Sequence, residues 1–259
     1  YFRMCKYKCF KNSRFQSFIV AGIFTYHRIR KSFYRKIDHY ICLNDNQIRL
    51  LTDIGFDNDK ITKKYNFVPD AEANLKAVKV DGLPERYAVF YGRIGEEKGI
   101  RILMKIWDEL PNVPLIVMGG GPLQDEFKRW AEKHNNVYFL GYTQHDKCLS
   151  IVKGGEFVVF PSIWYEGCSM VEIETESLGK GLIATDLGFS TEAIEDEKNG
   201  YKVKLGDIEG FRNCITELWN KPELISEIGR NARLDYERKY KPEDNYKQLM
   251  NIYKKTMER

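Results

Sequence analysis

Two glutamates eight positions apart, Glu166 and Glu174, close the two ends of the stretch "EGCSMVEIE". Gly167 permits a tight backbone turn after the first of them, and a helix is expected to begin near Cys168 or Ser169. The first N–H groups of a helix have no partner inside it, so the amides of Cys168, Ser169 and Met170 would be free to hold an anion. Carboxylates accept hydrogen bonds from vicinal hydroxyls, so acids on either side of such a turn suit a diphosphate flanked by two sugars. The competing reading makes Glu172, Glu174 and Glu176 solvated acids on a helix surface. In "VFYGRIGEEKG", beside Gly92 and Gly95, Arg93 and Lys98 follow an apolar run, and arginine can grip phosphate oxygens in a two-pronged fork. Read alone, they are equally two basic residues of a surface loop. The triple glycine of "MGGGPL" lets a ligand approach the backbone closely. Gln124 stands where a dinucleotide fingerprint needs its last glycine, which disfavours a nicotinamide-dependent oxidoreductase.

These residues need a frame, and the pattern from about residue 86 onward supplies one. Apolar runs "YAVFYG", "PLIVMG", "VYFLG", "FVVFPS", "LIATD" and "YKVKL" read as strands. Between the early ones, Ile100, Leu103, Trp107 and Leu110, then Leu123, Phe127, Trp130 and Ala131, recur at helical spacing. Strands that are apolar throughout and alternate with helices predict an α/β, doubly wound parallel sheet covered on both faces. Ligands of such sheets bind at the carboxyl edge, where all three stretches fall.

In order, "FYGRIGEEKG", "VMGGGPL", "VYFLGY", "PSIWYEGCSMVEIE" and "GKGLIATDLGFSTEAIEDEKNGYKV" resemble the retaining glycosyltransferases of family four, also called glycosyl transferases group 1. Their two Rossmann-like domains form the GT-B fold. The E-x7-E pair in its strand–loop–helix setting is the most specific part. The resemblance implies that Arg93 and Lys98 bind the diphosphate of a UDP-sugar or GDP-sugar and that Glu174 binds the nucleotide ribose. It implies that Glu166 contacts the transferred sugar, that the amides near Gly167 to Met170 hold sugar or phosphate oxygens, and that Gly92, Gly120 and Tyr142 complete the lining. Glu166, Arg93 and Lys98 would be the catalytic set of a hexosyltransferase serving polysaccharide or cell-surface glycan synthesis. Its acceptor would be a glycan or lipid-linked chain. No cofactor and no metal is implied. Cys168-Ser169 departs from the usual aromatic-glycine, which is expected to alter the shape around the sugar.

By the same resemblance, residues 1–70 would be the tail of a first, acceptor-binding α/β domain, 71–85 a linker, 86–240 the nucleotide-sugar domain, and 241–259 a helix crossing back to the first domain. That helix should carry Tyr246, Leu249, Ile252 and Tyr253 on one face. With most of the first domain expected upstream, the alternative is a non-catalytic nucleotide-sugar-binding half.

Charge is uneven. Ten Lys or Arg and no acid stand before Asp38, leaving 31 basic against 37 acidic residues in the remainder. Interleaved with Phe15, Phe18, Ile19 and Ile23, this basic stretch suits peripheral contact with an anionic membrane, or a solvated face beside a further domain. No nucleic-acid-binding signature accompanies it. The six scattered cysteines suit a reduced, cytoplasmic setting, and Cys5 and Cys9 lack the second pair a zinc site needs. His27, His39, His134 and His145 show no triad or ligand spacing and are expected to be structural. No apolar run approaches the roughly 20 residues needed to span a bilayer.

Overall fold

A computed structural model describes residues 2–77 and 82–258 of the chain. The basic stretch is largely helical. Ser13 caps the helix Arg14–Ile29 by accepting from the Gln16 amide, and of that helix only Ser17 and Ala21 are buried. Two short strands follow, β1 (Tyr40–Cys42) and β2 (Ile61–Lys63), paired in parallel with Tyr40 opposite Ile61. The helix Asp45–Asp53 joins them and returns the chain alongside β1.

The stretch expected as a linker is anchored where it starts. Val68 and Ala71 are buried, and Asp70 caps the short helix Ala71–Asn74. The Arg233 guanidinium grips both oxygens of Asp70 at 2.8 and 2.6 Å and holds that carboxyl down at about 2. Residues 78–81 of this stretch lie outside the described residues.

The main sheet holds six strands: β3 (Ala88–Tyr91), β4 (Leu115–Met118), β5 (Val137–Gly141), β6 (Phe157–Phe160), β7 (Gly181–Thr185) and β8 (Gly200–Val203). All neighbours are parallel, in the spatial order β5-β4-β3-β6-β7-β8. Alternate residues serve opposite faces, as a pleated strand requires. Ala88, Phe90, Leu115, Val117, Phe157, Val159 and Ile183 pack on one side, with Leu103, Trp107 and Phe211 from covering helices. Val89, Tyr91, Ile116, Met118, Val158 and Phe160 pack on the other, with Leu149 and Val152. Both faces being covered explains why the strands contain almost no polar residue.

From β3 the chain winds outward through β4 to β5, then returns to place β6 on the other side of β3. The strand order therefore reverses between β3 and β6. The loops leaving their carboxyl ends, 92–99 and 161–169, stand at the usual ligand position in this class of sheet.

The last helix, Pro242–Met257, crosses to the first stretch: the Asn245 side-chain amide donates to Tyr65 O at 2.8 Å, and Gln248 to Lys63 O at 2.9 Å. The predicted apolar face is only partly covered, as expected. Asn245 and Ile252, seven residues apart, point inward, while Tyr246 and Tyr253, one position further round, stay largely exposed.

Candidate functional site at the β3–β6 crevice

The two loops are locked to each other before any ligand enters. Ile163 N donates to Glu97 O at 3.0 Å. Gly99 adopts a φ of +70°, and a Cβ there would collide with the Pro161 carbonyl, so only glycine allows the loops this close. The Ser162 hydroxyl lies 3.1 Å from both Glu97 O and Glu166 Oε1. This packing sets Lys98 Nζ 2.5 Å from Glu166 Oε1, with both side chains mostly covered and the ammonium 5.2 Å above the Phe160 ring. The two residues assigned by sequence to phosphate and to sugar are thus partners.

Arg93 leaves the same loop but stays open to solvent. Its side chain is 64% exposed and Nε is 3.4 Å from Glu97 Oε1. Arg93 lines a cavity of about 350 Å³ together with Gly92, Gly120, Tyr142, His145 and Glu174. Gly119 brings the β4 loop against the β3 loop, where a Cβ would strike the Gly92 carbonyl. Tyr142 stands 87% exposed at the rim.

Between the two glutamates lies the helix Met170–Ser177. Ser169 is its N-cap, and its hydroxyl accepts from the Glu172 amide at 3.4 Å. Among the described residues, the backbone amides of Gly167 through Val171 donate to no acceptor in the protein. Free N–H groups at a helix start can hold an anion, and Lys98 is close to this one through its pairing with Glu166.

Glu174 sits one turn along the helix. Burial pushes its carboxyl above the usual range, with His145 and Tyr91 opposing that rise. Its Oε1 lies 3.0 Å from His145 Nε2. His145, expected to be structural, opens the helix after β5 and lines the cavity. A histidine just past a strand end was the available signal.

Two expectations fail. Cys168 does not shape the crevice. Its thiol accepts from Asn66 N at 3.3 Å and packs with Val68, Ile173, Phe189, Tyr236 and Tyr240, where burial pushes it up to about 12. Nor are the three helix acids solvated. Glu172 and Glu176 are buried, and neither Glu172 oxygen has a hydrogen-bond partner among the described residues. Burial, with the Glu166 charge adding, pushes Glu172 up to about 8.

One residue that sequence reasoning did not single out reaches the loop from the first stretch. The Asn44 side-chain amide donates to Gly167 O at 2.7 Å and Glu166 O at 3.2 Å. Ser162 and Tyr91 were also missed; the Tyr91 hydroxyl donates to Val171 O at 2.8 Å and braces the helix from the sheet. No group of three or more His, Cys, Asp or Glu side chains gathers at metal-binding distance among the described residues.

The chain is 26% identical over 178 residues to the O-antigen chain mannosyltransferase C of Escherichia coli, covering 67% of this chain and 48% of that protein. It is 27% identical over 241 residues to a poly(ribitol-phosphate) alpha-N-acetylglucosaminyltransferase of Staphylococcus aureus, covering 85% and 47%. The chain thus spans about half the length of these relatives. Among solved structures, Anabaena HepE in complex with UDP superposes with a TM-score of 0.76 at 19% identity, over 84% of this chain and 64% of that one. A variant of S. aureus TarM in complex with UDP, Fondaparinux and alpha-GlcNAc-glycerol superposes with 0.69 at 25% identity, over 85% and 44%. Residues 73–235 match the family described as glycosyl transferases group 1, and the chain belongs to that family.

Proposed function

We propose that this chain carries the donor-binding part of a glycosyltransferase that moves a sugar from a UDP-sugar or GDP-sugar to a glycan or lipid-linked acceptor, with retention at the anomeric carbon. One observation carries the reading: among the described residues, five consecutive amides without an acceptor, Gly167 to Val171, lie between Glu166 and Glu174, and Glu166 is paired with Lys98. The ribose hydroxyls would meet Glu174 in the cavity, the diphosphate the amides with Arg93 and Lys98, and the transferred sugar Glu166.

In the reaction the bond from the anomeric carbon to the diphosphate breaks and one to the acceptor oxygen forms. The acceptor proton goes to the departing phosphate oxygen on the same face, so no protein nucleophile and no metal is needed. Negative charge grows on the leaving group, where the helix amides are held by the loop and the side chains of Arg93 and Lys98 come to meet it. Each such donor is worth about 3 kcal/mol in a transition state. Lys98 is held by Glu166 until phosphate arrives, so donor binding exchanges one anionic partner for another and frees Glu166 for a sugar hydroxyl.

The S. aureus and E. coli relatives, named as glycan-building transferases, support the class of acceptor. The setting proposed with this reading is polysaccharide or cell-surface glycan synthesis at the cytoplasmic face of a membrane. Because the chain spans about half of those relatives, a nucleotide-sugar-binding unit that acts together with further chain is the second reading. The test is turnover with UDP- and GDP-sugars, with the product anomer read by NMR. An axial product from an axial donor supports retention, and an inverted product overturns it.

A further inference from the structure

Resting on the donor-site reading above, we propose that Asn44 is a positioning residue: it fixes the peptide planes of the acid–glycine loop so that their amides face the donor diphosphate. Asn44 stands 122 positions before Glu166 and is only 3% exposed. Each polar atom of its side chain is used. Oδ1 accepts from Gln47 N at 2.8 Å and caps the helix Asp45–Asp53, while Nδ2 donates to Glu166 O and Gly167 O. The reverse orientation of the amide would set an oxygen against two carbonyl oxygens, so the assignment is fixed by its surroundings.

The consequence follows from peptide planarity. The carbonyl of Glu166 and the N–H of Gly167 belong to one trans unit and point in opposite directions; so do the carbonyl of Gly167 and the N–H of Cys168. Holding both carbonyls toward Asn44 turns both N–H groups away from it. Those two N–H groups begin the row that has no acceptor in the protein among the described residues. Glu166 O is held a second time by Phe189 N at 3.0 Å, but among the described residues Gly167 O has Asn44 alone. Glycine rotates with little steric resistance, so the 167–168 peptide is the plane that needs the restraint. Space on that side is taken up as well: a Cβ on Gly167 would come within 3.0 Å of Gln47 Nε2 and 3.3 Å of Leu43 Cδ1. The first stretch of the chain is thereby part of the donor site without touching the donor.

The side chain has two jobs, and substitution can separate them. Asn44→Ser keeps an oxygen that can cap the helix but removes the donors to both carbonyls; Asn44→Ala removes both. The 259-residue chain and these variants are titrated by calorimetry with UDP, GDP and ADP and with the matching monophosphates, and their melting temperatures are recorded. Asn44→Ser should lose roughly tenfold in affinity for the preferred diphosphate. Its monophosphate affinity should change less than about twofold, since the distal phosphate is the anion these amides are proposed to hold. The melting temperature should fall clearly only in Asn44→Ala. Unchanged diphosphate affinity in Asn44→Ser overturns the inference while leaving the donor site intact. Equal losses for mono- and diphosphate, tracking the melting temperature, make Asn44 merely structural and also overturn it. A parent chain that binds no diphosphate overturns the donor-site reading itself.

Discussion

Lys98 and Arg93 leave the same loop, yet the structure predicts unequal consequences of losing them. Lys98 is mostly covered and neutralises Glu166 at 2.5 Å, whereas Arg93 is well exposed and only loosely paired with Glu97. Arg93→Ala removes one charge-assisted contact to a diphosphate, worth about 1.5–3 kcal/mol, or roughly ten- to a hundredfold in affinity. Lys98→Ala removes such a contact and also leaves a half-buried carboxylate facing the incoming phosphate, so its loss should be the larger. Calorimetric titration of both variants with UDP and GDP checks the order. Glu166→Gln should bind the free diphosphate as well as the parent or better, because Lys98 is released, but should bind the nucleotide-sugar less well; a comparable loss for both ligands would contradict the pairing argument. At this scale sequence position drew attention to the charged residues, since each lies in a loop that leaves a strand end. It hid the side of the turn Cys168 occupies, and it hid Asn44 and His145, whose partners lie 122 and 29 positions away.

The helix Met170–Ser177 carries its acids into the interior. Glu172 and Glu176, at i and i+4, share a face buried against the helix Pro222–Lys239 and the Phe189 turn. Sequence could not reveal this: acids at alternating positions read as solvated unless one knows that the helix is covered on nearly all sides. The six strands and the early helices were legible because full burial leaves no polar residue to blur their period. For Glu172, the ordinary value of 4.5 rises to about 8 in the folded protein. Below about pH 4.5 both folded and unfolded chains bind the proton, and between there and about pH 8 only the folded chain keeps it. Its stabilising share is therefore complete below pH 4.5 and lost as pH rises to about 8, at about 1.4 kcal/mol per pH unit. Glu172→Gln should melt higher than the parent at pH 8 by roughly 3 °C or more. That advantage should shrink toward pH 5, and a gap independent of pH would show that Glu172 does not titrate there.

For the whole molecule, the fold joins a small first part to a complete doubly wound sheet by specific contacts rather than by a loose tether. Asp70 with Arg233, Asn245 with the Tyr65 carbonyl, and Asn44 with the acid–glycine loop all cross between them. The basic helix Arg14–Ile29 leaves Phe15, Phe18, Ile19 and Ile23 exposed. If this face meets an anionic membrane, the chain should float with vesicles containing phosphatidylserine and be released as salt rises through the physiological range. Equal binding to neutral vesicles would contradict the electrostatic part. The central claim is that the β3–β6 crevice is a nucleoside-diphosphate site, and calorimetric titration of the chain with UDP, GDP and ADP tests it most directly. The account predicts saturable binding of at least one of them at a single site, unchanged by chelator and weakened by roughly thirtyfold or more in Lys98→Ala. No binding of any of the three, or equal binding by Lys98→Ala and the parent, would contradict it.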